Sequence, residues 1–214
     1  MIDGAIQQRV TEDVVRLAAF HTEPLESVLL RRNIEPDSLE DAKEAMAGVS
    51  VPLNPDELLD YPFRPRDDDP PYGIGRFGDG THPVFYSARE EETCIEEMKF
   101  HNRISLEELR SGALPYPRYF YLLRCAFDGS VMILLGHEGH HKELISPTDA
   151  GYPFCRRVAR WSMGEGAHAL HTASARRAGG RCVPVFARET LSSPRIGDRF
   201  RFAAFDGQVI HERV

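Results

Sequence analysis

Two Asp-Gly pairs, Asp128-Gly129 and Asp206-Gly207, each sit between short runs rich in apolar and aromatic residues, and no other feature narrows the fold as much. A two-residue Asp-Gly loop suits the tight turn of a β-hairpin, whose central positions need positive φ. The spacing predicts antiparallel strands over Arg118–Phe127 and Ser130–Leu135, and again over Arg199–Phe205 and Gln208–Glu212. Pro83–Ala88 and Cys182–Ala187 are further strand-like runs, whereas Glu90–Asn102 and Cys155–Met163 read as helices. Strands interleaved with helices and ending in a hairpin predict an α+β fold with mixed, mostly antiparallel sheets and flanking helices.

The first sixty residues read differently. Ile6, Val10, Val14, Leu17 and Ala18 recur at three- and four-residue steps, which predicts an amphipathic helix over Ala5–Phe20. Further helices are expected at Glu26–Arg32 and Ala42–Ala47, with a short helical turn at Asn54–Leu59. Residues 1–60 are thus expected to form a helical N-terminal extension, and residues 61–214 the main domain. The boundary falls where Tyr61–Tyr72 becomes too rich in proline for a helix, before Gly73, Gly75, Gly78 and Gly80 punctuate a tight loop.

Charge supports that division. The chain has 26 Lys and Arg against 33 Asp and Glu, a net charge of −7, which argues against direct binding of nucleic acid. The excess acid lies in residues 1–60, with 5 basic and 13 acidic groups; residues 61–214 hold 21 and 20. Residues 151–214 carry 11 basic groups, all arginine, and 5 acidic ones. Arginine's planar fork of donors suits phosphate or carboxylate, so this cluster fits a small anionic ligand. Cys94, Cys125, Cys155 and Cys182 form no CxxC pair, so reduced, mostly buried thiols are expected. No apolar run approaches the roughly 20 residues that span a bilayer, and no basic segment precedes an apolar one at the start. A cytoplasmic protein without membrane association is expected.

Several residues could surround one ligand. Arg76 lies in a glycine loop, Tyr86 on a strand, and Glu97 in a helix, within Tyr72-Gly-Ile-Gly-Arg76-Phe77-Gly, Val84-Phe85-Tyr86-Ser-Ala and Thr93-Cys-Ile-Glu-Glu97. Arg76 could grip an anion, Tyr86 could present a stacking face, and Glu97 could stabilise positive charge developing on a sugar carbon.

This order of residues resembles the RES-domain family, the toxin component of RES–Xre toxin–antitoxin pairs. The similarity also takes in Tyr61-Pro-Phe-Arg64, Pro147-Thr-Asp149 and the stretch from Ala173-Ser174-Ala-Arg176 to Phe186, so it spans about residues 61–210. The resemblance implies an ADP-ribosyltransferase-like RES fold and cleavage of NAD, with no metal. It implies catalytic roles for Glu97, Arg64 and Ser174 and NAD-binding roles for Arg64, Arg76, Tyr86 and Arg176, with Glu96 the adjacent alternative to Glu97. Two positions depart from the family pattern: Pro153 stands where some members carry the serine, and Pro65 where many carry an aromatic. The family also implies a separately encoded Xre/DUF2384-type antitoxin and, in some cases, phosphoribosyl-pyrophosphate synthetase as a protein acceptor. Residues 1–60 are expected to lie outside the chemistry, packing behind the domain, shaping the pocket entrance or meeting the antitoxin.

The chemistry is coherent on its own terms. NAD carries two phosphates, which call for fixed cations, and a cationic nicotinamide, which calls for an aromatic face. Loss of nicotinamide leaves an oxocarbenium-like ribose that a carboxylate stabilises. Water, inorganic phosphate or a protein side chain as acceptor then makes the enzyme a glycohydrolase, a phosphorylase or an ADP-ribosyltransferase.

Two alternatives come from other classes. One is an inactive NAD-binding interaction module. The other is a zinc hydrolase, because His137-Glu138-Gly139-His140-His141 satisfies HExxH, in which two histidines one helical turn apart hold the metal. Gly136 and Gly139 each cost a helix about 1 kcal/mol, so that spacing is expected to fall in a loop.

Overall fold

The computed structural model describes residues 2–19, 54–108, 118–205 and 208–214. In chain order its elements are β1 (Ile6–Ala19), α1 (Pro55–Asp60), β2 (Phe85–Ala88), α2 (Glu91–Glu108), β3 (Arg118–Ile133), α3 (Tyr152–Gly164), β4 (Ala169–Ala173), β5 (Arg181–Val185), β6 (Leu191–Phe205) and β7 (Gln208–Arg213). The expected helices at Glu26–Arg32 and Ala42–Ala47 lie outside the described residues.

The seven strands follow the order β1-β2-β5-β4-β3-β6-β7, and β1 pairs in addition with β3. That extra pairing closes β1, β2, β5, β4 and β3 into a ring. β3 makes this possible by its length: β1 runs along one edge from Phe120 to Ile133, while the other edge is divided between β6 and β4. Every pairing is antiparallel except β3 with β4. The mixed, mostly antiparallel α+β architecture expected from the sequence is therefore present.

Adjacent residues on each ring strand serve opposite faces. Val14, Phe85, Leu123, Cys125, Phe127, Val131, Ala169, Val183 and Val185, drawn from all five ring strands, form the core inside the ring. Their neighbours Val15, Leu17, Ala88 and Leu122 pack outward with Cys94 and Ile95 of α2. A third cluster seats Cys155, Val158 and Ala159 of α3 against Leu134, Leu170 and Phe186. Inside the ring, Glu12 of β1 reaches β4, which is not its neighbour: its Oε1 lies 2.5 Å from His171 Nε2, and its Oε2 lies 2.8 Å from Arg89 Nε.

Two expectations are corrected. Ala5–Phe20 is not a helix; Ile6–Ala19 is a strand fully paired with β3. The four-residue step that joins Ile6, Val10, Val14 and Ala18 is also a multiple of two, so the pattern fits one face of a strand as well as one stripe of a helix. The β-branched residues Ile6, Val10, Thr11, Val14 and Val15 favour the strand. Nor is Asp128-Gly129 a hairpin turn, because β3 continues through it to Ile133. A Cβ on Gly129 would lie 2.9 Å from Phe127 Cζ and 3.0 Å from His168 Nδ1, so this glycine answers close packing. Asp128 is held by Arg9 and Thr11 of β1. β6 and β7 pair antiparallel, with Phe205 opposite Gln208, while Asp206-Gly207 itself lies outside the described residues.

Candidate functional site

A cavity of about 270 Å³ opens between α2 and the outer face of the ring, beside the single register pair, Val15 and Ala88, that joins β1 to β2. It is slightly smaller than the roughly 300–1,000 Å³ of common small-ligand sites. Glu97, Arg76 and Tyr86 all line it. Glu96 does not; it pairs with Lys99 at 2.7 Å.

The glycine loop is built around Tyr86. The Tyr86 Oη accepts the N–H groups of Phe77 and Gly78, each at 3.1 Å, and a Cβ on Gly75 would meet that oxygen at 2.4 Å. Only glycine lets the loop lie so close to the ring. Burial raises the phenol's pKa against the pull of those two donors, so Tyr86 is a neutral hydroxyl. Within the same loop Arg76 donates to the carbonyls of Leu144 and Ser146 at 2.8 and 2.9 Å. Carbonyls orient a guanidinium without cancelling its charge. Tyr152, at the start of α3, is flanked by Arg76 at 5.3 Å and Arg156 at 5.7 Å, and it also lines the cavity.

Glu97 projects from α2. Its Oε1 accepts the hydroxyl of Ser174 at 2.6 Å and the thiol of Cys182 at 3.7 Å. Ser174 Oγ in turn accepts the backbone N–H groups of Arg176 and Arg177 at 3.0 and 3.1 Å, which fixes the hydroxyl's direction toward the carboxylate. Arg176 Nε stands 4.0 Å from Glu97 Oε2, its guanidinium lies 3.3 Å above the Phe100 ring, and its Nη1 donates to Pro147 O. Burial and then Arg76 lower the Arg176 pKa, opposed by Glu97. Burial and then Glu97 keep Cys182 a thiol, with its pKa raised well above the ordinary value. Ser174 and Arg176 therefore stand behind the carboxylate and touch it, whereas Arg76 and Tyr86 face the cavity with it.

Arg64 sits apart from this group. Its side chain is 60% exposed, its Nη2 is 4.0 Å from Asp60, and it is not among the residues lining the cavity. Pro153 lies in the first turn of α3, where its missing N–H leaves no intrahelical bond unmade. Several lining residues were not singled out from the sequence: Arg16 and Leu17 of β1, His101 and Met98 of α2, Tyr152, Thr172 and Cys182. His101 is one helical turn beyond Glu97, a spacing that could have marked it. Arg16 had no such signal while β1 was read as a helix.

The His137–His141 segment is a run of turns between β3 and a 3₁₀ turn at Lys142–Ile145. Gly136 has φ of +88°, which a helix does not accept. Glu138 receives the N–H of Gly136, and His141 stacks on Phe154 at 5.3 Å. Among the described residues no three His, Cys, Asp or Glu side chains are grouped to hold a metal ion, and no helix is long and apolar enough to cross a membrane. All four cysteines are free, with Cys94, Cys125 and Cys155 buried.

Compared with known proteins, residues 49–204 match the family model described as the RES domain. No curated protein matches the chain.

Proposed function

The chain belongs to the RES-domain family, whose members are generally NAD-processing enzymes found in toxin–antitoxin settings, and from that premise we propose that it is a toxin that cleaves the nicotinamide–ribose bond of NAD. The observation that carries this reading is the Glu97 carboxylate, which shares a cavity with Tyr86 and Arg76 while Ser174 and Cys182 occupy only its Oε1.

In the proposed reaction the C1′–N bond breaks and its electron pair goes to the pyridinium nitrogen, so nicotinamide departs neutral. Positive charge spreads over C1′ and the ring oxygen. Glu97, held by Ser174, stabilises it through the Oε2 side, where a ribose hydroxyl can donate. An acceptor oxygen then bonds to C1′ and gives up its proton to solvent. Tyr86 and Tyr152 offer aromatic faces for the nicotinamide, and Arg76 a cation for the diphosphate. The acceptor is water, inorganic phosphate or a protein such as phosphoribosyl-pyrophosphate synthetase, and an Xre/DUF2384-type antitoxin is the proposed partner.

Incubating the protein with NAD, with and without phosphate and with cell lysate, and identifying the products tests the reading and names the acceptor. Glu97→Gln is expected to lower nicotinamide release about 10²–10³-fold, as when one electrostatic partner of a transition state is lost. Unchanged release in Glu97→Gln would remove Glu97 from the mechanism.

A further inference from the structure

Arg76 reaches the cavity from a loop whose shape is imposed by its neighbours. Gly75 and Gly78 bracket Arg76 and Phe77, and glycine gives up more backbone freedom on folding than any other residue. The loop closes on itself from the Gly75 N–H to the Gly78 carbonyl at 2.8 Å. Several of its other backbone groups meet side chains from elsewhere in the fold. The N–H groups of Phe77 and Gly78, both buried residues, donate to Tyr86 Oη of β2 at 3.1 Å. The Gly75 carbonyl accepts Arg156 Nε of α3 at 2.8 Å, and His82 Nε2 lies 3.1 Å from the Phe77 carbonyl.

These contacts fix where the Arg76 side chain starts. Buried N–H groups need an acceptor, so the loop lies where Tyr86 Oη can serve two of them. The space between loop and phenol is filled: a Cβ on Gly75 would stand 2.4 Å from that oxygen and 3.0 Å from Tyr86 Cζ. Arg156 grips the peptide that joins Gly75 to Arg76, and Arg76 Nη1 and Nη2 then reach the carbonyls of Leu144 and Ser146 at 2.8 and 2.9 Å. A guanidinium that is to grip a phosphate must be held within about 0.5 Å of its productive place. A glycine loop meets that demand only when braced from outside.

We propose that Arg156 and the Tyr86 hydroxyl are positioning residues that hold the Gly75–Gly78 loop, and through it Arg76, in place for the diphosphate of the substrate. Tyr86 then has two separable parts, a ring that lines the cavity and a hydroxyl that orders the loop. Arg156 is not among the residues lining the cavity, so its action runs through the Gly75 carbonyl. The inference rests on reading the cavity as an NAD site with Arg76 on the diphosphate.

Calorimetric titration of the full chain with NAD and with pyrophosphate tests it, using wild type, Tyr86→Phe, Arg156→Met, Gly75→Ala, Arg76→Met and the doubles that add Tyr86→Phe or Arg156→Met to Arg76→Met. Wild type is expected to bind both ligands, and Arg76→Met about tenfold more weakly or worse. Tyr86→Phe, which keeps the ring, and Arg156→Met are each expected to weaken both ligands about threefold or more, and Gly75→Ala, which pushes the loop off the hydroxyl, likewise. Within Arg76→Met the same two changes are expected to matter less than about twofold, since the group they act through is gone. In steady-state cleavage of NAD their effect is expected on KM, with kcat within about twofold of wild type. Additive weakening in the doubles, or a change confined to kcat, would mean direct action on substrate and overturns the inference. So does binding within about twofold of wild type by either folded single variant. Should Tyr86→Phe or Arg156→Met not fold, the other and Gly75→Ala decide, and unchanged binding by them overturns it. Pyrophosphate binding with this coupling in a protein indifferent to NAD would reject the NAD reading and keep the positioning roles. Wild type that binds neither ligand overturns both.

Discussion

At the residue scale, the two oxygens of Glu97 have different surroundings. Oε1 accepts Ser174 and Cys182, while the nearest charge to Oε2 is Arg176 at 4.0 Å. A carboxylate anchored through one oxygen keeps its direction and leaves the other to act on substrate. Ser174 makes that anchor rigid, because two backbone N–H groups point its hydroxyl at the acid. Ser174→Ala leaves those donors without their partner and Oε1 with Cys182 alone, a loss of about 1–3 kcal/mol. It is expected to lower kcat for nicotinamide release about tenfold or more while leaving KM nearly unchanged, as steady-state kinetics will show. A change confined to KM would mean that the serine contacts substrate instead.

At the scale of elements, β1 and Gly129 define what holds the ring shut. Gly129→Ala introduces a Cβ about 3 Å from Phe127, His168 and Thr190. It is expected to destabilise the fold by about 1–3 kcal/mol in chemical denaturation, the cost of overpacking a filled site. A neutral result would contradict the close packing around this position of the continuous strand. Deleting residues 1–19 removes every β1 pairing with β3 and the Glu12 contacts with His171 and Arg89. The truncated chain is expected to lose cooperative thermal unfolding, and a sharp transition near that of the full chain would show that the ring closes without β1.

The same elements show what the sequence could convey. The antiparallel pair of β6 and β7, α3 and the carriers of Tyr86 and Glu97 were legible because each has a local signature: strand-like runs, a helical stripe, a motif. β1 was not, since a four-residue repeat satisfies two periodicities and only its partner β3, far along the chain, decides between them. Gly129 misled for a similar reason. An Asp-Gly pair reports a permissive backbone, and a crowded neighbour can demand glycine as firmly as a turn. Arg76, Tyr86 and Glu97 line one cavity, but Arg16 and Thr172 join its lining only through the closing of the sheet, which no local pattern encodes.

For the molecule as a whole, pH acts through two imidazoles, His101 and His211, whose pKa values the fold lowers. Burial lowers the pKa of His101, opposed by Glu97 and reinforced by Arg176 and Arg76; burial also lowers that of His211. The unfolded chain therefore takes up protons below about pH 6.5 that the folded chain still refuses. Stability is full above that value and declines as pH falls through it toward the lower folded values. Tm is expected to drop between pH 7.5 and pH 5.5, and His101→Gln to flatten part of that slope. An unchanged slope in His101→Gln would assign the loss to other groups.

Closure of the ring also sets a schedule. Ile6 pairs with Ile133, and Phe85 of β2 pairs with Val185 of β5, so the walls around Tyr86 and Glu97 unite segments made at widely separated times. Such long-range pairings form slowly. At roughly 5–20 residues per second of synthesis, a growing chain displays its tyrosine and glutamate for several seconds before β5 exists to complete the cavity. An unfinished chain has the reactive side chains without the pocket, so activity would begin only near the end of translation.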